Sequence, residues 1–351
     1  VGTPDFKPDK HVIDALINSA SNPDNWKYSL CDLPELTESV CTYYKNRFNV
    51  DLSSNEVMSL YGSQEGLAHI GLSLCNKGDI VLVPNPGYPI FEIGPYLSGA
   101  EIIHYPLLSE NNYLPDLKNI DEDILYKTKF MVVSYPLNPV CAIAPPDFYD
   151  ELIKFAKKYN IIIIHDNAYS DIIYDDNIGG SFLSHKGAKE VGVEFYSLSK
   201  SFNITGARVS FVLGNEEIIN HFKMLRSQID YGIFLPIQYA AIAALNGPQD
   251  SVKKHCREYE KRRNALCSGL RDIGWDVPDS KGTMFAWAPI PKNYKTSYEF
   301  CMDLMEKSGV ICTPGSAFGT LGEGYVRFAL VLPVDVIRQA IKSIKDCNII
   351  L

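Results

Sequence analysis

The feature that most restricts the possible folds is a series of short, unbroken apolar runs alternating with helix-like stretches through the middle of the chain. IVLV (80–83), EIIHY (101–105), KFMVVS (129–134), NIIIIHD (160–166), VEFYSLS (193–199) and VSFVLG (209–214) are rich in β-branched and aromatic residues. Runs that are apolar throughout, with no strict alternation, predict strands buried on both faces. Between them lie helical patterns: GLAHIGLSLCNKGD (66–79), with Gly78 as its stop, and PPDFYDELIKFAKKYN (145–160), with proline at its start. Strands alternating with helices predict an α/β fold with a mostly parallel sheet.

The character changes after Gly247-Pro248. Asp250 to Leu270 reads as one long amphipathic helix. Short strands follow in MFAWAPI (284–290), GVICTPG (309–315) and YVRFAL (325–330), with helices over 296–308 and 333–346. The expected organisation is a large α/β domain over 28–247 and a smaller α+β domain over 248–351. The extended, proline-rich segment 1–27, holding one short helix, is expected to join the smaller one.

Composition removes several classes of function. With 46% hydrophobic and 21% charged residues the chain can bury a sizeable core. A net charge of -9 offers nucleic acid no global attraction. The nine cysteines are scattered, odd in number and without a CxxC pair, which predicts reduced thiols and a cytoplasmic protein. The seven histidines show no HxxxH or HExxH spacing, so no metal is expected. No apolar stretch is long enough to span a membrane. The opening VGTPDFKPDK has no basic-then-apolar signal character, and a start at Val1 instead of Met suggests that residues precede it.

In an open α/β sheet, ligands bind beyond the carboxyl ends of the strands. Three polar clusters fall at such ends: Asn138 after KFMVVS, Asp166 and Tyr169 in and after NIIIIHD, and Ser197, Ser199 and Lys200 after VEFY. A single Asp after a strand is ordinarily a turn or cap residue, and a single Lys a solvated charge. Convergence from three successive strands is what marks a site.

These residues sit in longer strings. SLSKSFNITGARVSF (197–211) resembles the lysine segment of fold-type I, class I/II aminotransferases, with its arginine eight residues beyond the lysine. HDNAYSDI (165–172) resembles their Asp-x-x-Tyr element and YPLNPVCAIAP (135–145) their Asn-Pro element. GSQEGLAHI (62–70), NPGYPIFEIG (85–94), IDYGIFLPIQYAAIAAL (229–245) and TPGSAFGTLGEGYVRFAL (313–330) most closely resemble the LL-diaminopimelate aminotransferase branch.

The resemblance implies a fold-type I enzyme using pyridoxal 5'-phosphate (PLP), which passes an amino group from an amino acid to a 2-oxoacid in ping-pong fashion. It also implies a homodimer with shared sites. Lys200 would join the cofactor covalently and act as the proton shuttle, neighbouring cations lowering its pKa. Asp166 would pair with the pyridine nitrogen and keep it protonated. Asn138 and Tyr169 would bond the ring hydroxyl, and Tyr88 would stack on the ring. Ser63 and Gln64, at a helix start, with Ser197, Ser199 and Arg208, would hold the phosphate. Tyr28 would reach the phosphate of the neighbouring subunit. Arg327 would grip the substrate carboxylate, with Gly2, Asn138 and Gln228 beside it.

The chain also departs from the pattern. Leu137-Asn138-Pro139-Val140-Cys141 replaces the family's Asn-Asn-Pro-Thr-Gly, and Asp32 takes the place of a glycine. Gln64 stands where the branch often has lysine, and Gln228 and Tyr231 where it has asparagine and serine. A ring at Tyr231 is expected to shorten the pocket and favour a smaller or more apolar amino acid. A PLP-dependent β-lyase on the same fold and a non-catalytic PLP-binding sensor domain are the competing readings. A nicotinamide dehydrogenase is disfavoured, because no GxGxxG opens a strand–helix turn.

Overall fold

A computed structural model describes residues 2–177 and 179–350. Strands β1 (Val57–Leu60), β2 (Ile80–Asn85), β3 (Glu101–Pro106), β4 (Thr128–Ser134), β5 (Ile162–Asp166), β6 (Gly192–Ser197) and β7 (Ser210–Gly214) form one sheet in the order β1-β7-β6-β5-β4-β2-β3. β2 through β6 pair in parallel; β7 runs against both of its neighbours. The register places Ser134 beside Asp166 and Ser197 beside Ser210. The carboxyl ends of β4, β5 and β6 therefore share one edge with the entrance to β7. β8 (Phe285–Pro289), β9 (Thr313–Pro314) and β10 (Tyr325–Ala329) form a second, antiparallel sheet in the order β8-β10-β9.

The central strands are buried as their sequences predict. All six residues of β2 are buried, and so are all six of β6. EIIHY differs: β3 lies at the sheet edge, Glu101 and His104 are exposed, and His104 Nε2 meets Glu92 at 2.8 Å. An edge strand has one neighbour, so its outer residues keep contact with water. VSFVLG forms the one antiparallel member, and GVICTPG shortens to the two residues of β9.

Local chemistry sets the helix ends. Helix Pro146–Tyr159 starts with proline in its first turn and stops at Asn160, whose φ of 55° is left-handed. Helix Glu216–Ile229 is capped by Asn215, whose side chain accepts from Ile218 N–H at 3.1 Å. The helical pattern of 66–79 forms helix Ser63–Leu74, which opens at Ser63 as expected but stops at Cys75, short of Gly78. Helix Leu235–Asn246 shows little polarity between its faces, because it packs between helices Lys10–Ala20 and Pro34–Phe48. The N-terminal segment thus touches helix Leu235–Asn246 through Lys10–Ala20. It also touches the long helix Asp250–Asp272 through Asp5, whose carboxylate receives Arg262 at 2.7 and 2.9 Å.

Candidate active site

A cavity of about 500 Å³ opens at the shared strand edge, bounded across the way by Phe285 of β8 and Arg327 of β10. Asp166, the last residue of β5, lies in it at 7% exposure, and its Oδ1 has no hydrogen-bond partner. Burial, and then the negative charge of Glu194, push its carboxyl up from 3.8 to about 7, against the Ser134 hydroxyl. Glu194 is itself fully buried, and burial opposes its charge. Hydrogen bonds from His165 at 2.9 Å, Ser181 at 2.7 Å and Tyr44 at 2.8 Å outweigh that and hold its carboxyl below the usual range. An unpartnered buried acceptor is costly, so the Asp166 oxygen calls for a donor from outside the chain, best a cationic N–H.

Lys200 sits on the single turn Leu198–Ser201, which Ser197 starts by accepting from Ser199 N–H at 3.2 Å. Its Nζ donates to the Gly2 carbonyl at 2.7 Å. Burial, then Arg208 and Arg327, bring its pKa down from 10.5 to about 8. The sequence pointed to neighbouring cations; burial is the larger cause.

Donors gather at the same rim. Ser63 opens helix Ser63–Leu74, and its hydroxyl is buried without a partner. Arg208 holds a left-handed φ of 52° and leans on Gly62, where a Cβ would come within 2.2 Å of its Nη2. Gly62 is required by its backbone φ of 91°, and any side chain there would also displace the guanidinium above it. Ser197, Ser199 and Gln64 line the cavity too, and Gln64 Oε1 accepts from Tyr88 OH at 3.2 Å. A helix start, hydroxyls and a guanidinium suit a phosphate dianion.

Arg327 is held between the rings of Phe285 (4.1 Å) and Phe318 (4.6 Å). Its Nη1 donates to Asn138 Oδ1 at 2.6 Å, while its Nε is buried without a partner. Burial lowers its pKa, and no carboxylate among the described residues pairs with it. Tyr169 is buried in the same cavity, and burial pushes its phenol up.

The cavity therefore brings together Gly2, Ser63, Gln64, Tyr88, Asn138, Asp166, Tyr169, Ser197, Ser199, Lys200, Arg208 and Arg327. Tyr28, Gln228 and Tyr231 lie outside it. Tyr28 is 78% exposed and stacks edge-on to Tyr231 at 5.1 Å, and exposed Gln228 donates to its neighbour Ser227. Tyr231 does not narrow the cavity of its own chain. Asp32 accepts from Ser59 N–H at 2.8 Å and lines a separate groove of about 620 Å³ with Tyr231. Sequence reasoning missed Ser134 and Phe285. Ser134 ends a strand, so the strand-end rule could have found it; Phe285 in an apolar run carries no such signal. A larger hollow of about 720 Å³ surrounds Arg47 and Asp171, which pair with each other at 3.2 Å.

The unsatisfied Asp166 oxygen, the unpartnered Ser63 hydroxyl and the depressed Lys200 amine fit a phosphorylated pyridine aldehyde better than they fit each other. The fold defines a fold-type I, PLP-dependent transferase. More narrowly, the chain belongs to the aminotransferase class I and II family, whose model matches residues 1–344. A Halothermothrix orenii protein named LL-diaminopimelate aminotransferase is 45% identical, over 99% of this chain and 90% of its own length. A Dehalococcoides mccartyi protein of the same name is 42% identical, over 99% and 89%. Among solved structures, substrate-bound BacF from Bacillus subtilis superposes with a TM-score of 0.96 at 37% identity, covering 99% of this chain and 89% of that one.

Proposed function

We propose that this aminotransferase acts as a cytoplasmic homodimer with LL-diaminopimelate as amino donor and a 2-oxoacid as acceptor, using the cavity residues in the roles below. The observation that carries the site is the buried, unpartnered Asp166 oxygen facing the same cavity as a lysine whose pKa lies near 8.

When bound, PLP supplies a ring that withdraws electrons from the substrate's α-carbon and a carbonyl carbon that carries the amino group. Lys200 would anchor it, and its amine, partly neutral near pH 8, would take the proton from the donor's α-carbon and return it elsewhere. Asp166 would accept the ring N–H, which offsets the cost of its burial. Asn138 and Tyr169 would orient the ring hydroxyl, and Tyr88 would cover the ring face. Ser63, Gln64, Ser197, Ser199 and Arg208 would hold the phosphate. Arg327, with a free Nε edge between two aromatic faces, would take the donor carboxylate as a bidentate pair beside Gly2 and Asn138.

The dimer is supported by exposed aromatic and aliphatic side chains, Trp26, Tyr28, Leu30 and Tyr231, gathered near the Asp32 groove. A partner there would bring Tyr28, and Gln228 and Tyr231 with it, to the other subunit's cavity. The cytoplasm is supported by nine free cysteines. The donor is supported by the names of the relatives at 40–45% identity. A shorter or apolar donor is the second reading, favoured by Leu67, Ile90 and Phe91 in the cavity wall.

Purified holoenzyme mixed with single amino acids, followed by the cofactor's absorbance, tests the proposal. LL-diaminopimelate should give a higher kcat/KM than glutamate, alanine, methionine and aromatic amino acids. Equal or lower turnover would remove the donor while leaving amino transfer standing.

A further inference from the structure

Outside the cavity just described, two thiols meet. Cys301 lies in helix Ser297–Ser308, and Cys312 immediately precedes β9; their sulfurs are 3.3 Å apart. Cys301 is 8% exposed and Cys312 half-buried. Among the described residues no other two cysteines share a hydrogen bond: Cys141, Cys256 and Cys347 turn to backbone carbonyls instead. The described residues also hold no group of three metal-binding side chains, so a third ligand for a metal thiolate is missing here.

We propose that Cys301 and Cys312 are a modification site, a dithiol that a small peroxide converts into an intrachain disulfide. A disulfide needs about 2.05 Å between sulfurs, so the two must close by roughly 1.2 Å. The two sides differ in freedom. Cys301 is fixed in a helix, whereas Cys312 ends an irregular stretch, 309–312, that leaves the helix through left-handed Gly309 and carries exposed Ile311. The approach falls on that stretch.

The chemistry balances with hydrogen peroxide as oxidant. Either sulfur can donate to the other; where Cys312 donates, that bond favours the Cys301 thiolate, while burial and then Glu323 work against it, so the reaction is slow beside a dedicated peroxide sensor. The Cys301 sulfur attacks peroxide: an S–O bond forms, the O–O bond breaks, and water leaves once its oxygen is protonated. The Cys312 sulfur, losing its proton, then attacks the oxidised Cys301; the S–S bond forms, the S–O bond breaks, and a second water leaves. In sum, two thiols and one peroxide give one disulfide and two waters. The oxidised bond would lie one residue from Thr313, the register partner of Arg327, yet the inference stands whether or not Arg327 binds substrate.

The test uses intact holoenzyme treated with hydrogen peroxide at a dose that oxidises free glutathione in the same tube. After alkylation and non-reducing tryptic digestion, mass spectrometry reads the products; Lys307 separates the two cysteines into different peptides. The expected result is one cross-linked species joining the Cys301 and Cys312 peptides, two hydrogens lighter than their sum and released by dithiothreitol. Cys301→Ser and Cys312→Ser should each abolish it without creating another link. Full alkylation of both thiols, oxidation of either to a sulfinic acid with no link, or a link to a different cysteine would overturn the proposal.

Discussion

Replacing Asp166 with asparagine should make the cofactor-free protein more stable while it removes most of its activity. Burial and Glu194 raise the Asp166 carboxyl from 3.8 to about 7, and the residue is only 7% exposed. A carboxyl with a raised folded pKa binds its proton more tightly in the folded chain. Its contribution is therefore neutral below about pH 4 and becomes a growing penalty as pH rises from 4 through 7. A shift of about 3 units at about 1.4 kcal/mol each corresponds to about 4 kcal/mol at pH 8, an order-of-magnitude figure. Asparagine keeps the shape and stays neutral, so Asp166→Asn should recover much of it. Urea unfolding of apoprotein at pH 4 and pH 8 measures this, because the other titrating groups cancel in the difference between the two proteins. The gap should be near zero at pH 4 and a few kcal/mol at pH 8, the variant being the more stable. With PLP bound the order should shrink or reverse, and the half-reaction should slow by far more than the loss of one charged hydrogen bond, about 1.5–3 kcal/mol, would cost in binding. A variant no more stable than its parent at pH 8, or a gap independent of pH, would refute the reasoning.

Lys200→Ala should lose the borohydride-fixed cofactor; pyridoxyl label on another lysine in a peptide map would overturn the site. Gly62→Ala places a methyl 2.2 Å from Arg208 Nη2 at a φ of 91°, so its PLP dissociation constant should rise tenfold or more in a fluorescence titration. Arg327→Lys loses the planar fork, and the donor amino acid's KM should rise at least tenfold; an unchanged KM would place the carboxylate elsewhere. Mixing inactive Lys200→Ala/Arg208→Ala protein with a weakly active Tyr28→Phe protein should raise activity above that of either parent, because one site of the heterodimer keeps Lys200, Arg208 and an intact Tyr28; a fully active monomer would contradict shared sites.

The sequence was most legible where one element faces one environment. IVLV and KFMVVS became central strands because both faces are covered, and their ends placed Asn138, Asp166 and Lys200 on one rim. EIIHY carries the same pattern but sits at the edge, and nothing local distinguishes the sixth neighbour in a sheet from the seventh. Helix Leu235–Asn246 was illegible for the opposite reason: apolar on nearly all sides, it offers no period to read. At the site, residue type announced the acid, the lysine and the arginines. The state of each depends on burial, which places Asp166 and Lys200 near pH 7 and 8 and cannot be read from their letters.

The N-terminal segment shows most clearly why a linear division of the chain is incomplete. Asp5 receives both ends of the Arg262 fork, and Phe6 stacks on His255 at 4.4 Å and under Arg262 at 4.7 Å, so this stretch is fastened to helix Asp250–Asp272. A few residues on, helix Lys10–Ala20 packs on Leu235–Asn246, whose neighbours belong to the large sheet's side of the molecule. Between the two anchors and the chain start, Gly2 reaches the cavity, and its carbonyl accepts a hydrogen bond from Lys200 Nζ at 2.7 Å. A side chain at position 2 would strike the Phe285 ring at 2.5 Å, the same ring that supports Arg327. The backbone of Gly2 thus stands where Lys200, Arg327 and the aromatic wall of Phe285 converge. Arg262 fastens the segment to helix Asp250–Asp272, while the Lys200 amine meets Gly2 at the strand edge, so this stretch bridges the two sides of the cavity.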